Sequence, residues 1–500
     1  MQGLDIAVLI IYILAVTAFG AWFYRRADTP EGFTAAGSRL PGWAVGLSIF
    51  GTYLSSISFL ALPGKAYASN WLAFVFSLSL PLAAWAAGKW FVPLYRASGD
   101  VSAYAYLERR FGLWARMYAM TFYLLTQLAR MGTIMFLIAL ALESLTGWDI
   151  KTIIVVSGIL ITFYTVVGGI EAVIWTDVIQ SIVLTLGAMA CVAVLLLGDP
   201  GAAALFSKAA EADKFSLGSF APVFTEATVW VVLLYGIVIN LQNFGVDQSY
   251  IQRYQTARSL EDARCSVWIG VLVYIPVGLM FLLIGSLLWA YYQLSPELLP
   301  EALQAAGSGD RVFPHFIVTQ LPAGITGLLI AALAAAAMSS VDTSINSSST
   351  ILMTDVYRRL VNPGASDKQA MRFLRLATVG LGVLGTATAL LMISIKSALD
   401  VWWHLAGIFS GGMLGLFLLG AFSRRAAGAQ ALAAMVAGFA VIVWATFSSK
   451  VDAAWANSLH SFMTTVIATV AIFGVGILLS RGRERRGVSK PAETIYDIEQ

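Results

Sequence analysis

The chain has 500 residues and a net charge of +3; 59% of its residues are hydrophobic and only 12% charged, against about 25% charged in soluble domains. The apolar residues run through the whole length, which excludes a water-soluble fold and nucleic acid as a partner and makes the lipid bilayer the solvent. The two cysteines, Cys191 and Cys265, lie in or beside apolar stretches and give neither a disulfide framework nor a thiolate metal site.

The first apolar stretch, Leu4 to Phe23, is followed by Arg25 and Arg26 without a small-residue cleavage site, which predicts a retained helix, not a signal peptide. Windows of about 20 apolar residues then fall in chain order at roughly 4–24, 44–66, 71–95, 117–145, 151–168, 173–198, 228–248, 265–293, 320–352, 371–395, 399–420, 429–448 and 461–480. These thirteen expected spans put the termini on opposite sides of the membrane. Arg25, Arg26, Arg109, Arg110, Arg253, Arg258, Arg264, Arg358, Arg359, Arg372, Arg375, Arg424 and Arg425 all fall in loops that share a side with Arg481, Arg483, Arg485 and Arg486. The opposite loops carry single charges such as Lys151, Lys208, Lys214, Arg311, Lys396 and Lys450. The positive-inside rule then predicts an outer N-terminus and a cytoplasmic C-terminus in a cytoplasmic (inner) membrane. Asp199 to Thr225 and Ser295 to Gln320 have the length for short surface helices, and the charged tail after Arg481 reads as disordered.

Two spans are interrupted by polar residues. In the second, GLSIFGTYLSSIS places Gly51, Thr52, Ser55, Ser56 and Ser58 near mid-membrane, and a break near Gly51 would release backbone carbonyls into a cavity. In the seventh, INLQNFGVDQ interrupts an apolar run with Asn240, Gln242, Asn243, Gly245 and Asp247. Spans 2 and 7 are five apart, which predicts two five-helix repeats of opposite orientation, with a transport site where the broken helices meet.

The ninth span carries the strongest chemical signal. In AALAAAAMSSVDTSINSSST, Ser339, Asp342, Thr343 and Asn346 follow i, i+3, i+4, i+7 spacing and share one helix face. Small residues and serines alone serve close helix packing. Packing does not require Asp342, whose carboxylate at the centre of a span costs about 2.5–3.5 kcal/mol and needs a partner. A cation is the simplest one. Asp177, opening span 6, reads either as an interfacial carboxylate favoured by the helix dipole or as part of an ion site. Arg130 sits mid-span between apolar residues and reads either as half of a structural ion pair or as a fork for a substrate carboxylate. His404, beside Trp402 and Trp403, reads as an interfacial residue, and the three histidines form no metal cluster.

These residues define an all-α polytopic membrane protein that moves a small solute. A solute sensor is the rival from another class, and the short tail argues against it. A membrane enzyme would need a nucleophile, base or metal cluster that the sequence lacks, and a channel does not call for paired broken helices.

The runs LPAGITGLLIAALAAAAMSSVDTSINS and FYTVVGGIEAVIWTDVIQ resemble the two signature regions of the sodium:solute symporters, over nearly the whole chain. GTYLSSISFLALPGKAY, taken with Arg130, resembles most closely the bacterial sialic acid symporters of that family. The resemblance implies a leucine-transporter-like fold of five plus five helices: an extra first helix in residues 1–27, repeats in 44–198 and 228–420, two additional helices in 429–480 and a tail in 481–500. It implies Na+ as the coupling ion, one or two per cycle, and a small-molecule substrate, and a monomer is compatible with it. The common sodium site would use carbonyls of Gly51, Leu54 and Ala336 with the hydroxyls of Ser339 and Ser340. A second sodium site would use Asp177, Ser339, Asp342 and Thr343, where Asp342 and Thr343 stand in place of serines. For the substrate the matching positions are Tyr53, Ser55, Ser58, Ala73, Ser77, Arg130 and Phe244. Tyr53, Ala73 and Ser77 replace a small hydroxyl, an aromatic and an amide, which alters the pocket. An acidic sugar such as sialic acid is the leading solute, with a neutral sugar, polyol or amino acid as alternatives and proton coupling through Asp177 or Asp342 as another.

Overall fold

The computed structural model of the chain describes residues 3–304, 309–394, 412–448, 455–482 and 494–495. Among these residues the architecture is helical, with one isolated bridge between Leu40 and Ala257. In chain order the helices are α1 (Gly3–Ala21), α2 (Pro30–Ala35), α3 (Gly42–Tyr53), α4 (Ser56–Ala68), α5 (Leu72–Leu78), α6 (Leu80–Ala86) and α7 (Val92–Ser98). Next come α8 (Ala105–Phe111), α9 (Leu113–Thr146), α10 (Ile150–Leu197), α11 (Ala202–Glu211), α12 (Val229–Val246), α13 (Gln248–Thr256) and α14 (Leu260–Leu294). The chain closes with α15 (Glu301–Gln304), α16 (Gly309–Thr319), α17 (Ile325–Ile351), α18 (Asp367–Met392), α19 (Met413–Phe422), α20 (Gly428–Ser448) and α21 (Phe462–Ser480).

Ten described helices are long and apolar enough to cross a membrane, and the bent pair α3/α4 makes an eleventh span. The 48 residues of α10 would reach about 72 Å, over twice a hydrocarbon core of about 30 Å, so this helix holds two crossings. It turns at Gly169 (φ 60°, ψ −159°), between the two windows expected there. α19 is the described end of the window at 399–420; the rest of that window, including Trp402, Trp403 and His404, lies outside the described residues, as does the tail from 483 except for residues 494–495. The loops at 199–225 and 295–320 do carry short helices, α11 in one and α15 with α16 in the other.

The backbone at Gly169 lies in a region open essentially only to glycine. A Cβ there would also stand 3.0 Å from Cα and O of Phe33. Gly169→Val is therefore expected to cost at least about 1–3 kcal/mol of backbone strain. The check is a lower melting temperature than that of Gly380→Ala, a site with open space around it; equal melting would show that the turn is not held as described. Just past the turn, buried Glu171 accepts from Arg26 at 2.7 Å and from Arg39 at 2.5 Å, which ties the loop after α1 to the middle of α10.

α17 is the axis of the molecule, with 89% of its apolar window buried against 28% to 61% in the other single-helix spans. Its alanines and serines let α1, α9 and α10 approach closely, where larger side chains would hold them off. α3 and α14 pack by a reciprocal insertion. A Cβ on Gly46 would lie 2.7 Å from Ile269, and one on Gly270 would lie 2.6 Å from Ile49.

Two arginines that the sequence places in loops are not at the surface. Arg110 is buried in α8 and donates to the carbonyls of Gly420 at 3.1 Å and Ser423 at 2.5 Å. Arg253 is buried in α13, a polar half-helix that the window at 228–248 does not anticipate.

Candidate ion and solute site at the helix breaks

Both expected interruptions are present, displaced along the chain. The second span breaks at Leu54 and Ser55, three to four residues past Gly51, and its halves meet at 56°. Ser55 precedes α4 in an extended conformation, and its hydroxyl makes no cap to that helix. The last carbonyls of α3 lose their helical partners there. One of them, Thr52 O, accepts from Arg130 at 3.0 Å. In the other half of the molecule α12 runs unbroken through Asn240, Gln242 and Asn243 and ends at Asp247 (φ −71°, ψ 123°). Asp247 then caps α13 by accepting the Ser249 N–H at 2.8 Å.

The shared face of α17 is used throughout. Ser339 donates to Asp177 Oδ1 at 2.6 Å, Tyr164 donates to Asp342 Oδ2 at 2.6 Å, Arg253 donates to Thr343 at 2.7 Å, and Gln252 donates to Asn346 at 2.9 Å. The neighbouring face turns to α9, where Ser344 donates to Gln127 at 2.7 Å and Tyr123 donates to Ser347 at 2.7 Å. Such interhelical bonds contribute about 0.6 kcal/mol each on average. One of them does not offset the cost of about 2.5–3.5 kcal/mol for a carboxylate at membrane depth, so stability alone does not explain Asp342.

Asp177 is not interfacial. It is fully buried in α10, where Oδ2 accepts from Arg253 at 2.9 Å and also from Ser48. Arg253 further donates to Ser48 Oγ at 2.7 Å and to Ser249 O at 2.8 Å, so the guanidinium bridges α3, α10, α13 and α17. Sequence reasoning missed Arg253, and the signal that could have found it was the pair of buried carboxylates, which together require a cation.

The residues matched to the common sodium site lie around the first break. A Cβ on Gly51 would come within 3.1 Å of the Ser339 and Ser181 hydroxyls and 3.6 Å of Asp177 Cβ. Ser340 donates back to Ala336 O at 3.1 Å, and Leu54 and Ala336 are buried. The oxygens are hard and uncharged apart from Asp177, a donor type that suits a small hard cation. Of the second set, Asp177 and Thr343 are joined through Arg253, while Asp342 is held by Tyr164.

Of the positions matched to the substrate, Tyr53, Phe244 and Ser77 are brought together beside the same break, through Tyr274. Tyr53 stacks on Phe244 with ring centroids 6.2 Å apart and meets the edge of Tyr274 at 4.5 Å. Its hydroxyl donates to Asn240, whose amide holds Ser79 Oγ at 2.8 Å and Phe76 O at 3.2 Å. Ser55, Ser58 and Ala73 are half-buried, and Ser77 is buried beside Tyr274. Arg130 is half-buried, and Asp247 lies within its field but outside ion-pair distance, so the structural pair offered as its alternative is not formed among the described residues. Asn240, marked in the sequence as an interruption of span 7 but not as a substrate position, and Tyr274, which no motif marked, join this cluster.

The fold and these paired breaks define a secondary transporter. The family model described as the sodium:solute symporter family matches residues 33–438. The chain is 34% identical to the sodium/sialic acid symporter NanT of Aliivibrio fischeri, over 95% of this chain and 92% of that protein. It is also 34% identical to the sodium/sialic acid symporter SiaT of Proteus mirabilis, over 93% and 94% respectively. It superimposes with a TM-score of 0.90 on a substrate-bound, outward-open structure of a Na+-coupled sialic acid symporter, at 31% identity and over 97% of this chain and 99% of that one. The chain belongs to the sodium:solute symporter family. It is an integral membrane transporter coupled to sodium, and not an enzyme.

Proposed function

We propose that this transporter imports an acidic sugar, with sialic acid as the leading candidate, by binding it between the two broken helices in the company of sodium. The observation that carries the reading is Arg130, a half-buried guanidinium at the break with one N–H on Thr52 O and no carboxylate in ion-pair reach among the described residues. Its planar fork suits a solute carboxylate, and the hydroxyls of Ser55 and Ser58 suit a polyol. The names of the two bacterial relatives support the same class. Tyr53, Ala73, Ser77 and Phe244 form the walls in this reading, and Gly51, Leu54, Ala336, Ser339 and Ser340 the first sodium site.

The energetics favour more than one ion for an anionic solute. A sodium ion falling through about 100 mV and a tenfold gradient supplies roughly 2.3 plus 1.4 kcal/mol. A monoanion moving inward is opposed by about 2.3, so one ion leaves about 1.4 kcal/mol and roughly tenfold accumulation. Two ions leave about 5.1 kcal/mol, enough for several thousandfold. The side facing the cytoplasm is read from the arginine-rich loops, with an outer N-terminus and an inner C-terminus. The repeat boundaries given above stand on the same reading, supported by the breaks at Ser55 and Asp247.

The test is uptake of labelled sialic acid into liposomes holding the purified protein, under an inward sodium gradient and then under the same gradient of potassium. Accumulation is expected with sodium alone. Ser340→Ala is expected to raise the sodium concentration for half-maximal uptake by at least tenfold, a loss of about 1.4 kcal/mol. Unaltered sodium dependence in both Ser339→Ala and Ser340→Ala would remove these residues from the site. Uptake of a neutral sugar but not of sialic acid would transfer the reading to neutral solutes.

A further inference from the structure

The connection from α1 to α3 does not run over the surface as a loop would. In α2 every residue but Glu31 is buried, and Phe33 packs with Met353, Ala370, Met371 and Leu374 in a small apolar cluster of its own, apart from the main core. Gln252 of α13 joins this segment to α17. Its amide donates to Thr34 O at 2.8 Å, to Asn346 Oδ1 at 2.9 Å and to Thr350 Oγ1 at 3.1 Å. Thr343, Asn346 and Thr350 follow i, i+3, i+7 spacing, so the polar face of α17 that starts at Ser339 runs on until it meets α2.

The segment is clasped at its edges. Ala36, Gly37 and Ser38 have φ of 50°, 61° and 52°, three left-handed residues in a row of which two carry a Cβ, and such a conformation persists only where the surroundings impose it. The end of α13 imposes it: Ser38 donates to Gln255 O at 2.7 Å, the Leu40 N–H to Thr256 O at 2.9 Å, and the Arg258 N–H to Leu40 O at 3.0 Å. On the other flank Arg26 and Arg39, each about half exposed, bracket α2 and meet on buried Glu171 of α10. A separate small cluster, a strained turn and a few polar clasps make a unit that opens more readily than the core around it.

We propose that residues 30–40 form a plug over the end of the polar face of α17, clasped by Glu171 and by the end of α13, and that its departure opens that face to water on the side where α3 begins. That this side is cytoplasmic rests on the orientation read above. The connection between the extra first helix and the broken one is then the closure of the exit.

The experiment follows a buried residue beneath the plug. Thr350→Cys is made in the full chain with the exposed Cys265 replaced by Ser, and the rate at which a polar maleimide labels it is measured on purified protein in detergent. Labelling of a buried thiol reports the open fraction, and Glu171→Gln, which leaves its two arginines in water, is expected to raise the rate by roughly tenfold or more. A disulfide between Leu40→Cys and Ala257→Cys, the pair joined by the isolated bridge, is expected to return the rate to its slow value, and prior reduction to release it again. If Glu171→Gln does not fold, the same disulfide beside an intact Glu171 decides the matter, with slower labelling expected in the oxidised than in the reduced protein. A rate that neither change alters would overturn the proposal, as would a fast rate in Glu171→Gln that the disulfide leaves fast, or two cysteines that do not join on oxidation. Neither sodium nor solute enters the measurement, so its failure and a failure of the sodium-coupled acidic-sugar reading are told apart.

Discussion

Replacing Arg253 with Gln is expected to be among the most damaging single changes in the chain. It leaves the Asp177 carboxylate at membrane depth with its charge uncompensated, and the pair it breaks is fully buried on both sides. Removing one partner of a buried ion pair costs about 3–5 kcal/mol. The same change withdraws donors from Ser48 and Thr343, so three helices lose a common anchor. The expected result is a sharply lower melting temperature in detergent and no uptake. Adding Asp177→Asn removes the orphaned charge and is expected to restore part of the melting temperature without restoring transport. A single Arg253→Gln variant that melts like the wild type would mean that the ion pair is not a feature of the folded protein.

Arg130→Ala is expected to act on transport rather than on folding. Arg130 is half-buried, and its bond to Thr52 O is the one hydrogen bond among the described residues that the change gives up. A hydrogen bond to a charged group contributes about 1.5–3 kcal/mol, so kcat/KM for an acidic sugar should fall roughly 10- to 150-fold. Lys at this position keeps the charge and loses the fork, and should recover only part of the activity. Sodium binding in the absence of solute should persist. An equal loss for a neutral sugar analogue would assign Arg130 to the architecture of the break and not to recognition of a carboxylate.

How far the fold could be read in advance depended on how locally each feature was encoded. Hydropathy runs are local, so nearly every span lies within a few residues of its window, and Gly169 separates the fifth from the sixth as the sequence suggests. The breaks were legible as polar interruptions, but their positions were not. Which residue leaves the helix at Leu54 or Asp247 depends on who receives the freed carbonyls and amides, and those partners come from other spans. Arg253 shows the same limit more sharply. Eleven residues from Arg264, which does sit in a surface ion pair, it counts as one more loop charge until α13 folds inward and delivers it to Asp177. The i, i+3, i+4, i+7 face of α17 was visible from spacing alone. That it is shared out among Asp177, Tyr164, Arg253 and Gln252 required the tertiary structure.

The reciprocal insertion of Ile269 over Gly46 and Ile49 over Gly270 bears on how such a molecule changes the side from which its centre is reached. Two helices keyed into each other's backbone cannot slide or roll separately without a clash, because close-packed surfaces shift between discrete arrangements and do not shear continuously. α3 and α14 must therefore travel as one lever. The first half of α17 offers the opposite surface: from Ala331 to Ala337 it is nearly all alanine, with few projecting side chains to catch on its neighbours, whereas its second half is hydrogen-bonded to them. The residues matched to ion ligands begin where that smooth half ends, at Ala336 and Ser339, so in the reading proposed above a cation held there would act as a pin across the bearing, and its release would free the lever to swing.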